Sequence, residues 1–266
     1  MTLRIDDSHI HYTEKGEGLP VVLLHGSRVD HHLMTGCFEP VFEQLPGYRR
    51  IYPDLPGMGL SKPGKGVNDD TSITQVLLEF IDRLLGGQPF LLVGESFGGQ
   101  LARGIIEQIS GRIRGALFLC PYIADIAQTL PERTVAVSDP AYMQSLGETA
   151  RASFELLSVI QTQEVHTAFR QDIGSYLHLA DHAFIDALGQ TLEFDLSRRY
   201  HFPTSFIMGR QDHATGYEGA YAVLPCYPRA SFSVLDCAGH NLQIEQPEAF
   251  QALVKEWLAR VQLSAV

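Results

Sequence analysis

The stretch FLLVGESFGGQLARG, Phe90 to Gly104, runs from an apolar, β-type segment into a helical pattern through a turn that sets one serine among glycines. A serine hydroxyl is a poor nucleophile at neutral pH. It becomes a useful one when it is exposed, has a base beside it and meets donors placed for the developing oxyanion. A tight strand-to-helix turn supplies the exposure. Residues two positions to either side of the serine crowd the backbone there, so Gly94 and Gly98 avoid Cβ clashes while Ser96 sits at the tip in a strained conformation. The turn also opens a helix, whose first amides favour negative charge, and this makes the Phe97 N–H a candidate oxyanion donor. A G-x-S-x-G pattern by itself arises by chance in about one chain in ten of this size. Its weight comes from the apolar strand before it and the helical spacing after it.

Outward from this turn, short β-branched or apolar runs recur at Ile10–Thr13, Pro20–His25, Arg49–Tyr52, Gly115–Cys120, Thr204–Met208 and Ser231–Leu235. Between them lie segments with helical spacing at His32–Leu45, Ile73–Leu85, Phe97–Ile109 and Pro247–Val261. The alternation predicts an α/β fold, a three-layer α/β/α sandwich around a mostly parallel sheet. In the last helix, Pro247 suits a first turn, and Phe250, Leu253, Val254, Trp257, Leu258 and Val261 form an apolar stripe expected to pack on the sheet. From residue 122 to 201 the strand signals fade and short helical patterns take over. The expected organisation is therefore a core of residues 1–121 and 202–266 with a helical lid at 122–201.

At 266 residues, with 45% hydrophobic and 19% charged content, the chain can bury a large core. Its net charge of −11 and lack of a basic cluster speak against a nucleic-acid partner. No apolar run comes near the ~20 residues that a bilayer span needs, and the start MTLRIDDSHI has no leader pattern, so the expectation is a soluble, cytoplasmic protein. Cys37, Cys120, Cys226 and Cys237 show no CxxC spacing, and free thiols are the default, with a Cys226–Cys237 bridge as the one pairing to check. His31 and His32 are adjacent, and His178 and His182 stand four apart on an expected helix. Neither pair has the HExxH form, and no metal or cofactor is expected.

Further motifs fall in order along the chain. His25-Gly26-Ser27 follows a buried-type strand, the loop Asp54-Leu-Pro-Gly-Met-Gly59 follows the next, and Gly239-His240 follows the last. Together with GESFGG they resemble the α/β-hydrolase family from the Ile10 segment to Glu245-Gln-Pro-Glu248. The resemblance implies an eight-stranded sheet with a lid inserted after the sixth strand, and a chain order of nucleophile, acid and base. It points to Ser96, Asp212 and His240, with Asp236 as the rival acid. It also implies the backbone N–H groups of Ser27 and Phe97 as the oxyanion hole, and structural roles for His25 and the Asp54 loop.

The nucleophile sorts the family's activities. Haloalkane dehalogenase-like and epoxide hydrolase-like members carry an aspartate where this chain has Ser96, and proline iminopeptidase-like members carry Trp where it has Phe97. The expectation is a carboxylesterase-like serine hydrolase acting on a small, largely apolar ester, thioester or related acyl compound. One alternative is a carbon–carbon bond hydrolase of vinylogous diketones, against which Arg28-Val29 and Asn241 are departures. Another is a non-catalytic small-molecule receptor. A small-molecule partner and a possible homo-oligomer complete the reading.

Overall fold

A parallel strand covered on both faces must be apolar at every position, and this is how the central runs of the chain read. The computed structural model describes residues 1–264. Its strands are β1 (Thr2–Ile5), β2 (Ser8–Lys15), β3 (Leu19–Leu24), β4 (Tyr48–Pro53), β5 (Phe90–Glu95), β6 (Ile113–Leu119), β7 (Val137–Ser138), β8 (Ile160–Gln161), β9 (Thr204–Gly209) and β10 (Ala230–Leu235). Eight of them form one sheet in the order β1-β2-β4-β3-β5-β6-β9-β10, while β7 and β8 pair separately. The β1–β2 and β2–β4 pairs are antiparallel and all later neighbours in the large sheet are parallel.

Successive side chains of β3 and β5 enter opposite cores. Val22, Leu24 and Leu92 pack with Ile73, Leu77 and Phe80 of α2 (Asp70–Leu85) and with Leu101 and Ile105 of α3 (Phe97–Ile109). Val21, Leu23, Leu91 and Val93 pack instead with α1 (His31–Phe42) and α10 (Pro247–Leu263). Trp257 of α10 is fully buried and donates its indole N–H to Pro203 O at 3.2 Å. The three-layer arrangement expected from the alternation is therefore present, with helices on both sides of the sheet.

The differences have local causes. Helix α2 starts three residues ahead of the expected Ile73 because Asp69 and Ser72 form a capping box, with Ser72 N–H donating to Asp69 Oδ1 at 2.7 Å. Strand β1 escaped the sequence pattern because it is a short, half-exposed edge joined to β2 by a tight turn at Asp6, whose φ is 51°. Between β6 and β9 lie four short α-helices, α4 (Pro140–Ser145), α5 (Glu148–Leu157), α6 (Gln163–Phe169) and α7 (His182–Asp186). The β7–β8 ribbon in this segment was not anticipated, since two-residue strands leave no periodicity to read. The expected helix carrying both His178 and His182 is absent. His178 lies in a 3-10 turn and His182 opens α7 after an Asp181 N-cap.

Candidate active site

Ser96 lies between β5 and α3 with φ 51° and ψ −119°, a left-handed region that a side chain enters only when the surroundings enforce it. The enforcement is visible in the backbone. Ser96 N–H donates to Leu119 O at 3.0 Å, and its carbonyl accepts from Gly99 and Tyr122 N–H groups, each at 2.9 Å. A Cβ on Gly94 would stand 2.4 Å from Gly98 O, and one on Gly98 would stand 2.4 Å from Leu24 O. The glycines thus let the turn close against its neighbours. The Ser27 and Phe97 N–H groups donate to no protein acceptor among the described residues, and both residues line a cavity of about 270 Å³ together with Ser96 and His240.

His240 follows β10, and Asp212 follows β9. Their side chains meet, with His240 Nδ1 at 2.9 Å from Asp212 Oδ2. The aspartate is completely buried and accepts further from the Ala214 N–H, the Thr215 N–H and the Thr215 hydroxyl, the last at 2.7 Å. Burial alone would raise its pKa, but His240 and these donors hold it below the ordinary carboxylate value. For His240 the balance is opposite. Burial would lower its pKa, whereas Asp212, then Glu95 and Glu245, lift it to about 9. The other ring nitrogen, Nε2, stands 3.4 Å from Glu95 Oε1, and no hydrogen bond joins it to the Ser96 hydroxyl. Asp236 is elsewhere, exposed after β10 and hydrogen-bonded by Gln211 at 2.7 Å.

The remaining motif residues build the frame. His25 is fully buried, with Nδ1 at 2.7 Å from Gly26 O and Nε2 accepting the Leu55 N–H at 2.9 Å, so both ring nitrogens are committed to backbone. Asp54 accepts from the His31 and Leu60 N–H groups and from the His31 and His11 rings, which closes the loop after β4. Among the described residues, His11, His31 and Asp54 come close enough to share a metal ion, as do Asp30, His31 and His32, and Cys120, Asp212 and His240. In the first group a metal would have to displace the bonds that Asp54 already makes. All four cysteines are free.

A second cavity of about 240 Å³ adjoins the same three side chains, Ser27, Ser96 and His240, and is walled by Leu33, Leu157, Phe169, Ile173 and Leu177. The space beside the serine is therefore two-armed. One arm runs under Tyr122, Leu188 and Gln190, and the other is lined mainly by aliphatic and aromatic carbon from α1 and from the segment between β6 and β9.

A family model described as "Alpha/beta hydrolase family" matches residues 21–253. The chain belongs to the α/β-hydrolase family. An α/β superfamily hydrolase from Oenococcus oeni PSU-1 superposes with a TM-score of 0.86 at 28% identity, covering 95% of this chain and 96% of that one. A 2-hydroxymuconate semialdehyde hydrolase of Pseudomonas putida is 26% identical over 92% of this chain and 89% of its own length. A pimeloyl-(acyl-carrier protein) methyl ester esterase of Legionella pneumophila (strain Paris) is 24% identical over 94% of this chain and 99% of its own. This α/β hydrolase is accordingly similar both to an esterase and to a hydrolase of a different name, and it is an enzyme of the hydrolase class. No helix among the described residues is long and apolar enough to cross a membrane.

Three polar residues at the site were not read from the sequence. Thr215 supports Asp212, as above. Glu245 accepts from the Gly239 N–H at 2.6 Å and from the Val159 and Ile160 N–H groups. Glu95 occupies the variable position before the serine. The available signal was a charged residue ending an otherwise apolar buried strand, a placement that calls for a partner.

Proposed function

We propose that the chain is a serine hydrolase that needs no cofactor and cleaves a small, largely apolar ester, thioester or related acyl compound. The observation that carries this reading is the Asp212–His240 contact at 2.9 Å beside a serine held at positive φ, with two unclaimed main-chain amides on the same cavity. In the proposed cycle His240 takes the Ser96 proton as the oxygen attacks the carbonyl, and Asp212 holds the imidazole tautomer and stabilises its charged form. The Ser27 and Phe97 N–H groups receive the oxyanion, an interaction whose loss costs about 3 kcal/mol per donor in comparable sites. The proton then passes from His240 to the leaving group, and a water activated by the same imidazole frees the acyl group from Ser96. Residues 122–201 act as the lid, and the carbon-lined arm takes the acyl or alcohol chain.

The relatives favour one second reading. The Pseudomonas putida protein named above and a 2-hydroxy-6-oxo-2,4-heptadienoate hydrolase, 26% identical over 92% of this chain, bring carbon–carbon bond hydrolysis into the comparison. The deciding experiment measures turnover of short and medium acyl p-nitrophenyl esters, acyl thioesters and 2-hydroxymuconate semialdehyde, alongside labelling by a fluorophosphonate. Ester or thioester turnover, with labelling and turnover both lost in Ser96→Ala, is the expected result. Preferential turnover of the semialdehyde selects the second reading. Labelling without turnover of any substrate turns the assignment to a small-molecule receptor, and a native protein that does not label defeats the serine mechanism.

A further inference from the structure

The carboxyl of Glu95 has no part in the mechanism just described, yet it is placed at its centre. It is only 2% exposed. One oxygen, Oε1, lies 3.4 Å from His240 Nε2, the nitrogen that must receive the Ser96 proton. The other, Oε2, is buried with no hydrogen-bond partner and fills the space beside Gly26, where an added Cβ would stand 2.2 Å from it. The side chain is thus wedged between the turn that carries the Ser27 amide and the ring of the base. On the far side of that ring Asp212 holds Nδ1. The imidazole therefore has a carboxyl at each nitrogen.

Resting on the serine-hydrolase reading, we infer that Glu95 is a positioning residue for His240: as a carboxylate it holds the protonated imidazole by Nε2, so that the base becomes available to Ser96 only when this pair gives up its proton. The rearrangement is a proton transfer alone. Imidazolium loses the Nε2 proton to solvent, the ring turns its lone pair from Glu95 to the Ser96 hydroxyl, and no other bond is made or broken. The same charge stabilises the imidazolium that forms during attack, so its removal lowers the strength of the base as well as its resting protonation.

The groups around the pair are few. Asp212 from the loop after β9, Glu245 from α9 (Leu242–Glu245) and the Cys120 thiol after β6 surround His240. Glu95 is approached by Asp212, by Cys120 and by the Cys37 thiol of α1, and both thiols are driven well above their ordinary value by burial. No Lys or Arg is among them. Desolvation, with Asp212 adding to it, lifts Glu95 to about 7 despite the opposing charge of His240, which places its titration within the working range.

The test is the pH dependence of kcat/KM for the best acyl substrate in the native enzyme and in Glu95→Gln. A carboxylate at this distance favours the protonated imidazole, so replacing it with an amide moves the acidic limb to lower pH, by roughly one unit, and reduces the plateau by roughly tenfold. A limb that stays in place or moves to higher pH overturns the assignment, whatever happens to the rate, because a merely structural role alters the plateau without the limb. Should Glu95→Gln fail to fold, the ¹⁵N histidine spectrum of the native protein serves, with His240 identified by its absence in His240→Gln. Two inflections in the His240 signals are expected from a coupled pair, and a single inflection overturns the proposal. Fluorophosphonate labelling of the same samples separates the two levels. A labelled enzyme with an unmoved limb removes the role of Glu95 alone, whereas an unlabelled native protein removes the serine-hydrolase reading and this inference with it.

Discussion

Around Ser96 the chain is held by closely packed backbone and fully buried strand, whereas between β6 and β9 it is held by isolated hydrogen bonds and few buried side chains. Every residue of β5 is buried, and the turn after it is pinned through Leu119, Gly99 and Tyr122. In the other region, α5 buries only Phe154 and α7 buries no residue. Its links to the rest of the chain are individual ones, such as Arg28 to Asp186, the Gly57 carbonyl accepting the Asp181 N–H, and the Asp70 carboxylate accepting from Thr191 and Leu192 N–H groups. On the proposed function the two regions divide two tasks. Chemistry that requires atoms placed to a fraction of an ångström is built where backbone packing leaves no freedom, while the shape of the substrate space is built from side chains that can be exchanged singly.

The largest expected effect lies in the rigid region. Asp212→Asn should cost roughly 10³–10⁴-fold in kcat by favouring the wrong imidazole tautomer. Asp236→Asn, in an exposed carboxylate bonded to Gln211, should leave the rate at the native level. Equal losses in both variants, measured by ester turnover, would erase the distinction drawn here. On stability, Trp257→Ala in the α10 stripe should cost about 3–5 kcal/mol by urea unfolding, through lost burial and the cavity left behind. By contrast Leu156→Ala, at an α5 position that is 57% exposed, should change it by no more than about 0.5 kcal/mol. The smallest effect on activity sharpens the functional side of the comparison. Leu177→Ala enlarges the carbon-lined arm and should shift preference toward longer acyl chains by about 1–2 kcal/mol, or roughly tenfold in relative kcat/KM. Labelling of Ser96 should be retained in that variant.

The same division governs what was legible beforehand. The buried strands and long helices declare themselves because burial on two faces or one demands a fixed apolar period, and the β5–α3 turn declares itself because only glycine fits beside Ser96. The edge strand β1 and the β7–β8 ribbon are too short or too exposed to impose a period. Asp212 and Asp236 both follow strands and look alike in sequence. They differ in three dimensions, where Thr215 and His240 enclose one and solvent surrounds the other. Glu95 was hidden for another reason. It stands at the motif's variable position, and its meaning depends on a ring supplied by a residue 145 positions later (240 − 95 = 145).

Glu245 joins the two regions. One of its oxygens accepts from the amide beside His240, and the other accepts from the amides at the start of the β8 ribbon. The start of the β8 ribbon, two residues past the cavity-lining Leu157, and the loop of the proposed base therefore share a tether. A bulky occupant that pushes the ribbon outward must either snap those bonds, exposing a carboxylate that burial holds above its ordinary pKa, or drag the imidazole with it. On the proposed function, fit and reactivity are mechanically linked, so an ill-fitting guest disturbs the engine as well as the door.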